Sequence, residues 1–179
     1  MKAVNKKILV RCNLEQKDYM DIAGNTLKCA QNYNSNYRER SPVIAVAEET
    51  VGSIAKGDVI LAHHNHFYGN SPYWLKDDLF SIPCNKTIFA IIGKDGYPKP
   101  VNGNIICKKV DIETEIELPP EERKQYIDRA IVLTNGFGFS KGQLIFVKPY
   151  SPYEIVYIYN NIENRVVKVD SDMVLGVLK

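Results

Sequence analysis

Apolar residues fall in short blocks along the whole chain. Ile8-Leu9-Val10, Val43-Ile44-Ala45-Val46-Ala47, Val59-Ile60-Leu61 and Ile88-Phe89-Ala90-Ile91-Ile92 occupy the first half; Ile105-Ile106-Cys107, Ala130-Ile131-Val132-Leu133, Leu144-Ile145-Phe146-Val147 and Val174-Leu175-Gly176-Val177-Leu178 occupy the second. Blocks this short, rich in β-branched and aromatic residues and bounded by turn formers, predict strands. Tyr153, Ile155, Tyr157 and Tyr159 share one parity and therefore one face of a predicted strand. Lys56-Gly57-Asp58 and Lys141-Gly142-Gln143 predict tight turns, with glycine supplying a positive φ. Helical signal is confined to Pro119–Ile127, where prolines and acidic residues open a stretch continued by basic ones.

The blocks repeat. Lys56-Gly57-Asp58-Val59-Ile60-Leu61 matches Lys141-Gly142-Gln143-Leu144-Ile145-Phe146 at a spacing of 85 residues. Phe80 and the strand after it match Val166 and the final strand at 86, Val43–Ala47 matches Ala130–Thr134 at 87, and Ile8-Leu9-Val10-Arg11 matches Ile105-Ile106-Cys107-Lys108 at 97. A longer loop after the first strand of the first half accounts for the one discrepant spacing. Gly93–Gly103, rich in Gly and Pro, reads as a linker. The expectation is an all-β protein of two small units in tandem, residues 1–92 and 104–179, with long loops at 15–41 and 111–128. A half of this size must close its sheet or cover its edges, and a small β-barrel does so.

In this order the blocks resemble the chaperonin-10 (GroES-like) co-chaperonin family. That family opens on a strand of the type ILVR, follows it with a loop, continues through a KxGDxVxF turn and strand, and closes on DxxLAxL. The first half supplies Ile8–Arg11 and Lys56–Leu61; the second supplies Lys141–Phe146 and ends Asp170-Ser171-Asp172-Met173-Val174-Leu175-Gly176-Val177-Leu178. The resemblance implies two GroES-like barrels, a homo-oligomer, and a loop that docks on a chaperonin (GroEL-like) ring. Carried over by position, the docking residues are Ile22, Gly24 and Leu27 in the first loop and Ile116 and Leu118 in the second, with Asn25 and Thr26 standing where the family has aliphatics. A segment that orders on binding gives weak individual contacts, which a ring of copies makes up by avidity. The function implied is a co-chaperonin. The alternative is a phage virion or assembly adaptor that uses the same modules for interaction, since fold does not fix function.

Composition narrows the field. Hydrophobic residues are 45%, charged residues 25% and the net charge is +2, so no concentrated basic field calls for a nucleic-acid partner. No apolar run reaches membrane-spanning length. The apolar stretch after the basic start is too short for a signal peptide, and Cys12, Cys29, Cys84 and Cys107 lack CxxC spacing, so reduced thiols in the cytoplasm (the host's, for a phage protein) are expected. His63-His64-Asn65-His66 contains every histidine; on a strand His64 and His66 share a face and are the metal candidates, while a solvated loop is the other reading. Tyr68, Tyr73, Trp74 and Phe80 suggest either a contact surface or a plug over the sheet. Gly136-Phe137-Gly138 lacks a nucleotide-binding context, and no Ser/His/Asp or Cys/His set stands out, so neither an enzyme nor a cofactor is expected.

Overall fold

A computed structural model of the chain describes residues 7–14, 19–22, 24–29, 43–110, 128–149, 151–159 and 162–178. Strands in the first half are β1 (Lys7–Arg11), β2 (Tyr19–Ile22), β3 (Asn25–Cys29), β4 (Val43–Ala47), β5 (Val59–Ala62), β6 (Trp74–Lys76), β7 (Leu79–Pro83), β8 (Ile88–Ile92) and β9 (Pro98–Pro100). Those in the second are β10 (Asn104–Lys109), β11 (Arg129–Val132), β12 (Leu144–Val147), β13 (Tyr153–Tyr159), β14 (Ile162–Asp170) and β15 (Val174–Leu178). Single 3-10 turns at His64–His66 and Ser171–Met173 are the helical elements among the described residues. The protein is all-β. The helix expected at Pro119–Ile127 lies outside the described residues.

The chain forms two compact units. Unit 1 is Met1–Asn102 with Ile155–Asn164, and unit 2 is Gly103–Glu154 with Arg165–Lys179. In unit 1 an antiparallel sheet runs in the order β6-β7-β1-β4-β5-β8-β9. Alternate residues of its strands, Ile8 and Val10, Ala45 and Ala47, Ile60 and Ala62, Phe80 and Ile82, are buried in one cluster with Phe67 and Ile54. Strand period two thus puts one set of side chains into a common core. Ile44 and Leu61, on the opposite face and directly paired, are also buried, so this part of the sheet is covered on both sides.

In unit 2 the order β15-β12-β11-β10-β14 reproduces β8-β5-β4-β1-β7 of unit 1. The registers agree as well. Val10 pairs with Ala47 and Phe80, while Cys107 pairs with Val132 and Val167. Ile60 pairs with Ala45 and Ile91, while Ile145 pairs with Ala130 and Val177. Even the irregularity recurs: the ladder shifts between Leu61 and Ala62 in one unit and between Phe146 and Val147 in the other. The second core of Ile105, Cys107, Ala130, Val132, Ile145, Val147, Val167 and Val169 occupies the positions of Ile8, Val10, Ala45, Ala47, Ile60, Ala62, Phe80 and Ile82.

The turn between the third and second of these strands is repeated hydrogen bond for hydrogen bond. The N–H of Gly57 donates to the Ala47 carbonyl and that of Gly142 to the Val132 carbonyl, each at 2.8 Å. Thr50 Oγ1 accepts from the Lys56 N–H at 3.1 Å, and Asn135 Oδ1 accepts from the Lys141 N–H at 2.7 Å. Asp58 and Gln143 side chains take the N–H groups of Ala55 and Ser140, each at 2.8 Å.

Closed barrels were expected, and the sheets are open. The first ends on β6 and β9, each three residues long, and β9 begins and ends with proline. Short edges, one of them limited in donors by proline, blunt further pairing and remove the need for closure. The Gly93–Gly103 stretch read as a linker contains β9, which pairs with β8 through Pro98, Lys99 and Pro100 opposite Ile92, Ile91 and Ala90.

Candidate functional site

The first-half loop that carries Ile22, Gly24 and Leu27 holds a β-hairpin. Ile22 stands opposite Asn25, which closes the ladder of the hairpin. Gly24 has φ +84, a region that glycine enters without penalty. The ladder continues through Asp21 opposite Thr26 and Met20 opposite Leu27, and the Thr26 hydroxyl donates to the Asp21 carboxylate at 3.2 Å. Alternation divides the hairpin: Lys28 and Gly24 are exposed, whereas Ile22 is buried and Leu27 is 0% exposed. The two aliphatic residues expected to meet a partner are therefore buried.

The element beside this hairpin was not foreseen from sequence. β13 pairs with β3, setting Tyr157 opposite Cys29, Ile158 opposite Lys28 and Tyr159 opposite Leu27. Ile155 and Tyr157 are buried. The alternation of Tyr153, Ile155, Tyr157 and Tyr159 signalled a strand with one apolar face; it carried no signal for a partner more than a hundred residues earlier. Ile116 and Leu118, the second pair of candidate docking residues, lie outside the described residues.

The histidines do not form the face expected of a strand or the solvated loop. His64–His66 is a 3-10 turn, and at three residues per turn side chains two apart diverge. His63 stacks on His64 with ring centroids 4.4 Å apart, and its Nδ1 accepts from the Asn65 N–H at 3.3 Å. His66 points the other way: it is 8% exposed and meets the Tyr73 ring edge-on at 4.5 Å. Neither of its ring nitrogens finds a hydrogen-bond partner, and burial lowers its pKa below 6.5. No three His, Cys, Asp or Glu side chains among the described residues group as metal ligands.

The aromatic insertion is split between core and surface. Phe80 is buried against Phe67, and Tyr73 packs on the same core, whereas Tyr68, Trp74 and Leu75 are exposed. Buried Ser71 braces the segment by donating to the His66 carbonyl at 3.0 Å and accepting from the Tyr73 N–H at 3.2 Å. On the surface Arg11 reaches Glu48 at 2.8 Å and Asp78 at 2.6 Å, which raises its pKa further. Cys12 and Cys107 are buried, and burial pushes the Cys107 thiol up to about 12.

Among the described residues no helix is long and apolar enough to cross a membrane. Comparison with protein-family models, with curated proteins and with solved structures finds no match.

Proposed function

We propose that the protein is a co-chaperonin-like assembly factor that docks on a chaperonin ring through its first-half hairpin. The observation that carries this reading is the β-unit made twice, with one strand order, one set of registers and one hydrogen-bonded turn. A module made twice, with a hairpin between the first two core strands of its first copy, suits multivalent binding in an assembly of copies, where several weak contacts sum. The resemblance of the ordered blocks to the chaperonin-10 family supplies the partner.

The sheet edges support self-association. β8 is covered by β9, whereas its counterpart β15 is an edge strand with Leu175, Val177 and Leu178 exposed, Leu175 at 70%. An edge carrying apolar side chains is suited to pairing with another strand. The second reading, an interaction module of a phage particle, is favoured by one observation: Leu27 is buried, not presented.

The test is to mix the purified protein with a bacterial-type chaperonin and ATP, then follow native mass, complex formation and refolding of a stringent substrate. An oligomer that binds in the presence of ATP and raises the refolded yield is expected. A monomer that neither binds nor assists refolding would overturn the proposal. Recovery of the protein in purified particles would favour the adaptor reading.

A further inference from the structure

We infer that two copies of the chain pair antiparallel through β15, about a twofold axis at Val177. This deepens the self-association argued above from the sheet edges and does not depend on a chaperonin partner.

The alternation of hydrogen bonds says which β15 residue faces outward. The Lys148 N–H donates to the Met173 carbonyl at 2.9 Å, and the Val147 N–H donates to the Asp128 carbonyl at 2.8 Å. Even-numbered residues along β12 therefore turn their backbone groups toward β15, and odd-numbered ones toward β11. Leu144 and Phe146 stand opposite Leu178 and Gly176, so those two residues bond to β12. Val177, between them, turns its N–H and C=O to the outer side. There β15 ends the sheet order among the described residues.

The other copy of the module shows what this edge takes. Ile91 stands opposite Ile60 as Val177 stands opposite Ile145. On the outer side of Ile91 lies β9, antiparallel, with Lys99 opposite. The Val101 N–H donates to the Phe89 carbonyl at 3.3 Å and the Gly93 N–H to the Tyr97 carbonyl at 3.2 Å, so odd-numbered residues along β8 bond outward, as Val177 is placed to do. Ile92 is 4% exposed, whereas its equivalent Leu178 is 54% exposed.

A second copy of β15 is the occupant that the strand itself specifies. Antiparallel pairing of a strand with itself closes on a twofold axis, so one surface serves both copies. Val174–Leu178 carries no charge, so the symmetry sets no like charges opposite each other. Centred at Val177, the pair exchanges two hydrogen bonds between the Val177 residues and sets Leu178 of one copy opposite Gly176 of the other. Gly176 has no other explanation in the fold: its φ lies outside the left-handed region, and an added Cβ meets nothing within 4 Å. A strand glycine of this kind marks the close approach of another backbone. Ile131, Leu144 and Leu178 are directly opposed across three strands, and the pairing continues this aliphatic row onto Gly176 and Phe146 of the second copy.

Sedimentation velocity of the full-length protein over a dilution series tests the pairing. The contact is one strand from each copy, smaller than a standard interface, so a micromolar dimer is expected. Val177→Pro removes a donor that β12 does not use, and with it both hydrogen bonds at the axis. Its dimer is expected to be at least about tenfold weaker. Leu178→Lys, at an exposed position, is expected to weaken the dimer as well. Val177→Cys, in a Cys29→Ser and Cys84→Ser background, sets two cysteines opposite each other, where an oxidant links the copies faster than it does through Leu175→Cys. Where a substitution disturbs folding, the Val177→Cys link decides alone. A monomer at every concentration overturns the pairing. So does a dimer that survives Val177→Pro and Leu178→Lys and links no faster through Val177→Cys, a result that leaves the co-chaperonin reading standing. A dimer that responds as stated, in a protein that binds no chaperonin ring with ATP, sustains the pairing and overturns the co-chaperonin reading.

Discussion

Gly57 and Gly142 give the sharpest test of the repeated turn. Their φ values are +89 and +87, and an added Cβ meets nothing within 4 Å at either site. Substitution by alanine therefore meets no steric obstacle, and its effect is set by the backbone alone. An L-residue held in the left-handed region loses roughly 1–2 kcal/mol. Restricting the unfolded chain returns roughly 0.4–1 kcal/mol. The net loss is about 1 kcal/mol at each site, or a Tm decrease of about 4–8 °C for a unit of 60–100 residues. Since each glycine donates the same hydrogen bond, to Ala47 in one case and Val132 in the other, the two losses should agree within about 0.5 kcal/mol. Urea unfolding of Gly57→Ala and Gly142→Ala measures them. D-alanine at the same positions, introduced by semisynthesis, favours positive φ and is expected to be neutral or stabilising. The reasoning fails if L-alanine is harmless at both sites, or if D-alanine is as damaging as L-alanine, because handedness would then not be the cause.

Two further outcomes follow from buried groups. His66 has a folded pKa below its unfolded value of 6.5, so its neutral form is favoured by folding and the contribution is fully present above pH 6.5. That contribution is lost as pH falls from 6.5 through the folded pKa, and comparison of urea unfolding at pH 7.5 and pH 5 should show a smaller acid loss for His66→Phe than for the parent; an equal loss in both would rule out His66 as its source. Cys107 is buried with a pKa of about 12, so thiolate is scarce at pH 8 and a thiol reagent should label it only as fast as unit 2 opens; rapid labelling of the native protein would contradict its placement.

The sequence made the strands legible because each core strand is a short apolar block between turn formers. Alignment of the halves was legible where a glycine fixed the frame. Lys56-Gly57-Asp58 and Lys141-Gly142-Gln143 stand 85 residues apart in sequence and in register alike, since a positive φ admits no slip. Elsewhere the frame was ambiguous. Val43–Ala47 was matched to Ala130–Thr134, but the ladders set Ala45, not Val43, equivalent to Ala130. A slip of two keeps every side chain on its own face, so apolar alternation cannot detect it. Phe80 was matched to Val166, whereas the ladder equates it with Val167. A slip of one reverses the faces, but two adjacent valines, both buried, conceal the reversal. The candidate site was legible only as a loop: neither the β2–β3 hairpin nor the pairing of β3 with β13, set more than a hundred residues apart, leaves a local pattern.

The same ambiguity explains why barrels were expected. An all-β half with a single core must protect the edges of its sheet, and from sequence closure is the simplest means. Unit 1 protects one edge by adding β9, a segment that local composition marks as a linker because it is bounded by proline. Proline is what makes the segment fit for this place: it occupies an edge while offering few donors for another strand to pair with. In the second copy β15 stands at the end of the sheet order among the described residues, with Leu175, Val177 and Leu178 exposed. Two copies of one module thus treat equivalent edges in opposite ways, with β8 satisfied within the chain and β15 left able to pair.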